Sequence, residues 1–575
     1  MDYELISPRD ESASALVQVL MNRGFSKTEI VHYLNTTEAD LVDPYTIEHI
    51  ADGAAMLRKH MDNNSKVFIQ VDSDVDGYTS SSILMNYIHR INAEWVDNNW
   101  IYNLHDTKAH GIIPLDVPTD VNLVIIPDAG SEQFLEHKSL QDRGIDVLII
   151  DHHNAAGYSP YACVINNQIS NYPNKQLSGA GMVWKFINYL DSAWGYNLSE
   201  DYLDLAIFGI IADVMDVRTF ENRQLIKMGT EKLHSPLLLE LQAANSFQYG
   251  ETVNIKTFSW SMAPAINAVA RVGTLAEKQL IFTSMLEFKA YEEIPSTKRG
   301  CKGQMETRVV QAARTAKNVK ARQDRLRDAD VAAIEDKIQD HLDNKFLVIL
   351  RDNTTQEQRN ITGLVANKLM SKYERPVLLL SKVIDEKDNS VHWAGSGRNG
   401  GSLTDSLQSF LKDTQLVDYA QGHDNAFGVS IPDENIQALR DYVNTLFIDT
   451  DLTKKYKVDI IYDGNKIDYS DIATLADSDY LWGQGIDEPR VAIEKLSIIP
   501  SMVNLSPRGF LTIKTNSGVL LTMRGVSIDK FNKLYVPGGR VVINAVGTCM
   551  RQSWDNEVAI AMDEYEIIQS VDWYF

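Results

Sequence analysis

Three short apolar runs each stop on acidic or imidazole side chains, and this repeated design constrains the chain more than any other feature. KVFIQV (66–71) leads into DSDVDG, NLVIIP (122–127) into DAGS, and DVLII (146–150) into DHHN. A further apolar segment, LDLAIFGIIADVMDV (203–217), also closes on acids. Runs this short suit buried strands; a membrane span needs about 20 apolar residues. Strands separated by helical stretches predict an α/β domain with a largely parallel sheet. Ligands of such sheets bind beyond the carboxyl ends of the strands. The four acidic clusters, each taken as a strand end, are therefore expected to converge on one edge.

In DSDVDG, Asp72, Asp74 and Asp76 stand at alternate positions, which share one side of an extended chain. A calcium EF-hand loop would need Glu at its twelfth position and a helix before it; Ile83 stands there, and the preceding segment is a strand. Asp128, Asp151, His152, His153 and Asp213 extend the set. Carboxylates and imidazoles without thiolates suit Mn2+ or a similar divalent ion. The set is too large for one ion. Two ions would fit it, in the geometry that clamps the attacking and leaving oxygens of phosphoester hydrolysis. A single Asp after a strand is as readily a helix N-cap, but four such clusters together are not explained that way.

Charge bears on what such a site would act on. The chain has 55 basic and 78 acidic residues, a net −23, which argues against a protein that coats nucleic acid. It leaves room for an enzyme with a local basic track. Between 298 and 327 ten basic residues face two acids, a local +8, which reads either as a solvated helix or as a track for a nucleic-acid backbone. Three cysteines far apart give neither a disulfide framework nor a zinc ribbon, and suit a reducing compartment. The N-terminus is acidic and polar, unlike a signal peptide.

The expected organisation is a helical segment over 1–60, an α/β domain over 61–279, and a basic helical connection over 280–342. A second α/β domain follows over 343–450, and an all-β barrel or sandwich of short strands over 451–575.

DSDVDG, PDAGS, DHH and IADV resemble, in order and context, the four motifs of the DHH phosphoesterase superfamily. The resemblance is closest to the RecJ-type exonucleases specific for single-stranded DNA. NRGFSKTEI, SGAGMVWK, APAINAVARVG, the Asn222–Arg223 pair and ITGLVANKLMSKYERPVLLLS are similar to RecJ-type segments. WAGSGRNGGSLTDSL resembles the accessory DHHA1 domain, and YLWGQGIDEPRVAIEKLSI the entry to an OB-type barrel. The implied architecture is a DHH parallel-sheet domain joined by a long helix to a DHHA1 α/β domain, plus a C-terminal OB-like β-barrel.

The resemblance implies Asp74, Asp76, Asp128, His152 and Asp213 as metal ligands, with Asp72 and Asp151 as ligands or as carboxylates that orient them. His153 would contact the scissile phosphate or protonate the leaving oxygen. Two Mn2+ or Mg2+ ions are implied. The Gly-rich WAGSGRNGGS loop is a formal GxGxxG, weak evidence alone. With Arg398 in it, the family likeness makes Ser396, Arg398 and Gly401 substrate-binding, with His423 nearby and Arg271 as a further phosphate ligand. A phosphate pocket facing a metal centre across a narrow cleft would admit a single strand and exclude a duplex. Trp393 and Tyr78 are positional candidates for base stacking, while Trp482 is expected to pack the barrel entry. Two departures from the family pattern stand out: Ala129 where Asn is usual, and Gln421 in place of the first Gly of Gly-Gly-His.

The implied function is 5′→3′ hydrolysis of single-stranded DNA in recombination, repair or replication. The implied setting is a cytoplasmic monomer (the host cytoplasm for a phage-encoded chain). It would have no membrane association and would work with a single-strand-binding protein or helicase. Two alternatives remain: a phosphodiesterase for oligoribonucleotides or cyclic dinucleotides, and a non-catalytic single-strand-binding replication factor. The second would have lost metal ligands, and here every acidic motif position is filled.

Overall fold

The computed structural model describes residues 1–106, 110–249, 253–338, 343–385, 389–400, 404, 406–452, 454–552 and 555–571. The chain divides into two compact units: Met1–Asn267, Leu275–Arg314 and Lys455–Phe575 in one, Ala268–Thr274 and Thr315–Lys454 in the other.

The first unit opens with β1 (Asp2–Leu5), followed by α1 (Ala15–Asn22), α2 (Lys27–Leu34) and α3 (Ile50–Asp62). Ser26 and Glu29 close a reciprocal capping box that starts α2, as the S-x-x-E spacing dictates. The N-terminal segment is thus not wholly helical. β1 forms because a partner strand some 450 residues later completes its hydrogen bonds, and no local pattern announces such a pairing.

The parallel sheet contains β2 (Val67–Val71), β3 (Trp100–Leu104), β4 (Leu123–Pro127), β5 (Asp146–Asp151) and β6 (Cys163–Asn166). Its order is β3-β2-β4-β5-β6, parallel throughout. β2 and β4 are buried along their whole length, as strands covered on both faces must be. α4 (Val75–Ile91) and α5 (Ala93–Asn99) lie between β2 and β3, and α6 (Phe134–Gln141) between β4 and β5. On one face Phe68, Val124, Ile126, Val147 and Ile149 form a core with Leu140 of α6. On the other, α3 and α7 (Gly179–Trp194) approach closely. A Cβ on Gly53 of α3 would meet Ile165, Leu148 and Phe186 at 2.7–3.5 Å. Strand order reverses between β2 and β4, so their carboxyl ends flank the crevice in which such sheets bind ligands.

The fourth apolar segment is not a strand. It forms α8 (Leu203–Ala212), buried along its length, and Asp213 is its C-cap. A helix enclosed on all sides shows no amphipathic period, so its sequence reads like a buried strand. Convergence on one edge is kept, with Asp213 arriving from a helix end. α9 (Phe220–Glu231) follows.

Beyond the parallel sheet, β7 (Glu293–Pro295) and β8 (Met305–Thr307) form an antiparallel hairpin, and a 31-residue helix, Arg308–Ile338, follows. The +8 segment is not a free track. Arg308 bonds Glu292, Arg314 bonds Glu306, Lys320 bonds Asp324, and Arg327 bonds Asp324 and Asp328. Counting acids only between 298 and 327 hides two of these partners, which lie just outside.

In the second unit, β9 (Leu347–Arg351), β10 (Val377–Ile384), β11 (Val391–Arg398), β12 (Tyr419–His423) and β13 (Ala426–Pro432) form a sheet of order β12-β13-β11-β10-β9. Only β9 and β10 pair in parallel. The helix Thr362–Tyr373 packs on β10 and β11.

The chain then returns to the first unit. β14 (Lys455–Val458) pairs with β1. β15 (Ile460–Asp463), β16 (Arg490–Ile498), β17 (Val503–Leu505), β18 (Leu511–Lys514), β19 (Leu520–Met523), β20 (Arg540–Arg551) and β21 (Val558–Val571) form a mixed sheet of order β15-β16-β20-β21-β19-β18-β17. Register shifts between Val542 and Ile543 and between Val546 and Gly547 curl its long central pair. Among the described residues no ladder joins the edge strands β15 and β17, so the pairing is that of a seven-stranded mixed sheet. No helix among them is long and apolar enough to cross a membrane.

Candidate metal centre

The carboxyl ends of β2, β4 and β5 deliver Asp72, Asp128 and Asp151, and α8 delivers Asp213. His152 is the common neighbour. Its Nε2 lies 3.2 Å from Asp128 Oδ1, 3.5 Å from Asp213 Oδ2 and 3.7 Å from Asp76 Oδ2. Asp128 Oδ1 and His152 Nε2 are both buried without a hydrogen bond. Orphaned buried polar atoms that face one another need an explanation, and a shared cation supplies it. Three groups of ligand atoms, each within 4.8 Å, overlap here: Asp76–His152–Asp213, Asp72–Asp74–Asp128, and Asp128–Asp151–His152–His153. The first two share no residue. This oxygen-rich set with one or two imidazoles fits Mn2+ or Mg2+.

Each side chain is held by its own backbone context. Asp74 is the N-cap of α4 and accepts from Gly77 N at 3.1 Å. Asp76 sits at the amino end of α7, accepting from Ser178 Oγ (2.8 Å), Gly179 N (2.6 Å) and Ala180 N (3.0 Å). A helix N-terminus stabilises an anion in this position. Asp72 accepts from Gly111 N, and its other oxygen lies 2.7 Å from His110 Nδ1. Asp128 takes a positive φ of 68°, fixed by a bond from its own N–H to Ile150 O. Asp151 is fully engaged. One oxygen accepts from Ser131 N, the other from His152 N and His153 Nδ1 (2.8 Å). That pattern marks it as a carboxylate that orients His153, whose Nε2 is left toward the open side. Asn166 ties the same loop, donating to His153 O and Ser131 Oγ.

The electrostatics follow from packing. Burial and the charges of Asp76, Asp74, Asp72 and Asp213 push Asp128 well above the usual carboxylate range. Burial and the charges of Asp76 and Asp74 push Asp213 up to about 8. Burial lowers His152, so it is a neutral imidazole suited to ligation. Burial opposes protonation of His153, but the Asp151 bond outweighs it and raises the ring to about 9. Burial likewise opposes ionisation of Asp151, and its His153 bond again wins, holding it low.

A pH prediction arises here. In the metal-free protein the raised Asp213 contributes stability that is fully present below its ordinary 3.8 and lost as pH rises through about 8. Melting temperature in EDTA is therefore expected to fall between pH 5 and 8. A bound divalent ion displaces that proton, so Mn2+ affinity should rise over the same interval with proton release, measurable by calorimetry in buffers of different ionisation enthalpy. A Mn2+ affinity independent of pH would contradict this.

Comparisons with known proteins place the chain in a family. The family described as "DHH family, N-terminal domain" matches residues 66–210. YorK of Bacillus subtilis (strain 168), a protein named as a candidate SPbeta prophage-derived single-strand DNA-specific exonuclease, is 34% identical over 577 residues, 99% of this chain and 98% of its own. The chain belongs to the DHH family, RecJ type. The single-stranded-DNA-specific exonuclease RecJ of the same bacterium is 25% identical over 586 residues, 97% of this chain and 69% of its own. The crystal structure of RecJ in complex with Mn2+ from Thermus thermophilus shares the fold, with a TM-score of 0.69 at 18% identity over 98% of this chain and 77% of that one.

The second unit of this RecJ-type chain gathers most of the predicted phosphate ligands. Register places Arg398 beside Ala426 and Ala426 beside His423, and likewise Ser396, Gly428 and Gln421 in the next row on that face. A Cβ on Gly428 would meet nothing nearer than 3.8 Å, so the surface between Ser396 and Gln421 is open. Arg398 is mostly buried. Its Nη1 donates to Gly397 O, and its Nη2 lies 2.5 Å from where a Cβ on Gly363 would stand. The absent side chain lets the guanidinium rest on the first turn of the helix Thr362–Tyr373. Burial and the nearby charge of Arg271 both lower the Arg398 pKa. Two cations this close favour an anion between them. Gly401 lies outside the described residues.

Several features escape sequence reasoning. His110, beside Asp72, stands in KAHG with nothing to mark it. Ser178 and Gly179 do carry a signal, since SGAG is a Ser N-cap followed by small residues that permit close approach. Ala129 is buried in the apolar cluster under the sheet. Trp393 and Tyr78 are core residues: Trp393 Nε1 bonds Asp433, and Tyr78 packs on Phe282. Trp482 is buried, as expected. Trp260 is 74% exposed in the π-helical turn Phe258–Met262, a geometry common at functional sites.

Proposed function

We propose that this chain is a metal-dependent exonuclease that degrades single-stranded DNA from the 5′ end. The observation that carries the reading is the meeting of Asp128 Oδ1 and His152 Nε2, both buried and unbonded, with Asp76 and Asp213 beside them. Likeness to YorK over 98% of its length, and to RecJ over 69% of its length, supports the substrate class, and the 5′ polarity follows the family.

Asp76, Asp128, His152 and Asp213, with Asp72 and Asp74, would hold one or two Mn2+ or Mg2+ ions. Bound there, the ions supply Lewis-acid charge for the attacking water and the leaving oxygen of the phosphodiester. The chain's own residues do the rest. Asp151 fixes the ring of His153, which is protonated at neutral pH and turns Nε2 outward. That group contacts the scissile phosphate or gives its proton to the leaving oxygen. Ser396, Arg398, Gly401, His423 and Arg271 bind substrate phosphate. The C-terminal mixed sheet is the counterpart of the family's OB-type module and adds grip on the strand. The enzyme acts as a monomer in the cytoplasm, with a single-strand-binding protein or helicase as the class of partner.

Nucleotide release from 5′-labelled and 3′-labelled single strands, duplexes and dinucleotides, with Mn2+ and with EDTA, tests this. Mn2+-dependent mononucleotide release from the 5′ label of long single strands is expected. Preference for dinucleotides, or release from the 3′ label first, would overturn it. In the same assay Arg398→Ala should erase any preference for a 5′-phosphate over a 5′-hydroxyl.

Trp260 is an exposed ring suited to stack on bases. Base–aromatic stacking is worth about 1–3 kcal/mol, so Trp260→Ala should weaken single-strand affinity by roughly 5- to 150-fold, and Trp260→Phe much less. Unchanged affinity in fluorescence-anisotropy titrations of Trp260→Ala would remove it from the strand path.

A further inference from the structure

The Asn222–Arg223 pair is a motif that the metal centre does not use. Asn222 Nδ2 donates to Gln176 O (2.6 Å) and Asp216 O (2.9 Å) and so anchors α9. The next side chain, Arg223, is only 6% exposed. Its guanidinium lies between two rings, 5.5 Å from the Tyr33 centroid and 5.0 Å from that of Tyr480. Nη1 makes one long bond, 3.3 Å to Tyr480 O, and Nε has no partner. Among the described residues Arg223 pairs with no carboxylate, and the ionisable groups that act on it are the two tyrosines.

A buried cation without a counter-charge is costly, and two ring faces offset part of that cost only. Arg223 lines a recess of about 370 Å3 together with Lys227, Thr230, Asn254 and Tyr480, over a floor that includes Leu34 and Ile226. Lys227 uses one bond, to Thr36 O, and is otherwise exposed. Glu231 stands in the same lining and is exposed. Tyr480 is 43% exposed, so one edge of its ring is accessible.

We propose that this recess is a phosphate site, in which Arg223 and Lys227 hold a phosphate monoester or diester of a nucleotide or of a single strand. The bound anion supplies the counter-charge that Arg223 lacks, and the exposed part of Tyr480 is placed to meet the attached base. The site belongs to the first unit and is built from residues other than Ser396, Arg398 and Arg271. It does not depend on the nuclease reading, because binding here needs neither metal nor turnover.

The test uses the full chain in EDTA, in an Arg398→Ala background that silences the phosphate row of β11. Inorganic phosphate, a deoxynucleoside 5′-monophosphate and a 5′-hydroxyl oligothymidylate are titrated separately, read by melting temperature and intrinsic fluorescence. Saturable stabilisation is expected, weakened at least about tenfold by Lys227→Met and by Arg223→Met. Tighter binding of the monophosphate identifies a nucleotide site, and tighter binding of the oligomer a strand site. Arg223→Met removes a brace between two tyrosines and can fail to fold, whereas Lys227 is a surface residue, so its variant keeps the test decisive. No saturable response to any of the three ligands, or wild-type binding in Lys227→Met, would reduce Arg223 to a structural brace.

Discussion

Asp128→Asn is expected to make the metal-free protein more stable while abolishing its activity. The side chain is buried, its Oδ1 has no hydrogen bond, and four other carboxylates press its pKa upward. Asparagine has the same shape and mimics the protonated acid, so it removes the repulsion without opening a cavity. The gain in EDTA should be about 1–2 kcal/mol, the order at which one uncompensated buried polar group is felt. It should be larger at pH 8 than at pH 5, because the wild-type acid is protonated at low pH and loses its stability contribution only as pH rises. With the carboxylate gone, the Asp72–Asp74–Asp128 group loses a ligand. Removing a partner one shell further out costs 10–100-fold in metal affinity or activity, so loss of a ligand should exceed about 100-fold in Mn2+-dependent nucleotide release. Melting curves in EDTA at two pH values, elemental analysis after Mn2+ loading and single-strand hydrolysis check the three parts. A variant that melts lower than wild type in EDTA, or that keeps its activity, would contradict the assignment.

The candidate metal centre is legible in the sequence to the extent that backbone geometry dictates it. A strand of the parallel sheet puts the next side chains at its carboxyl end, so Asp72, Asp128 and Asp151 are placed by the hydrophobic runs before them. Asp213 is legible as an acid after an apolar run, but not as a helix cap, because α8 is enclosed on every side and its period is erased. Contacts between distant segments leave no local trace. His110 reaches Asp72 from a loop 38 residues later. β1 waits for β14, and Arg223 is framed by tyrosines almost 450 residues apart in sequence. The basic segment shows the opposite error. Its charge is real, but counting cannot see that Glu292, Glu306, Asp324 and Asp328 already hold four of its ten basic residues. Salt dependence of strand binding should therefore be shallower than a +8 track would give.

Gly209→Ala is the second large effect, and it acts without replacing a titratable group. In an ordinary helix interior, alanine for glycine gains about 1 kcal/mol. Here the added Cβ would stand 2.2 Å from Asp76 Oδ1, 2.5 Å from Ala180 Cβ and 3.0 Å from Thr79 Oγ1. None of these can swing away. Asp76 is fixed by three donors at the start of α7, and Ala180 Cβ moves only with its backbone. α8 must therefore shift from α4 and α7, an overpacking cost of typically 1–3 kcal/mol that outweighs the propensity gain. The shift carries Asp213 with it, since Asp213 N donates to Gly209 O at 2.9 Å. Asp76 and Asp213, two of the three members of one ligand group with His152, move together. The variant should melt lower than wild type in EDTA by about 1–2 kcal/mol of stability, with Mn2+ affinity down about 10–100-fold, as when an orienting contact is lost. A lowered melting temperature with an unchanged Mn2+ titration would show that Asp76 and Asp213 support the fold alone and that the ions rest on Asp72, Asp74 and Asp128.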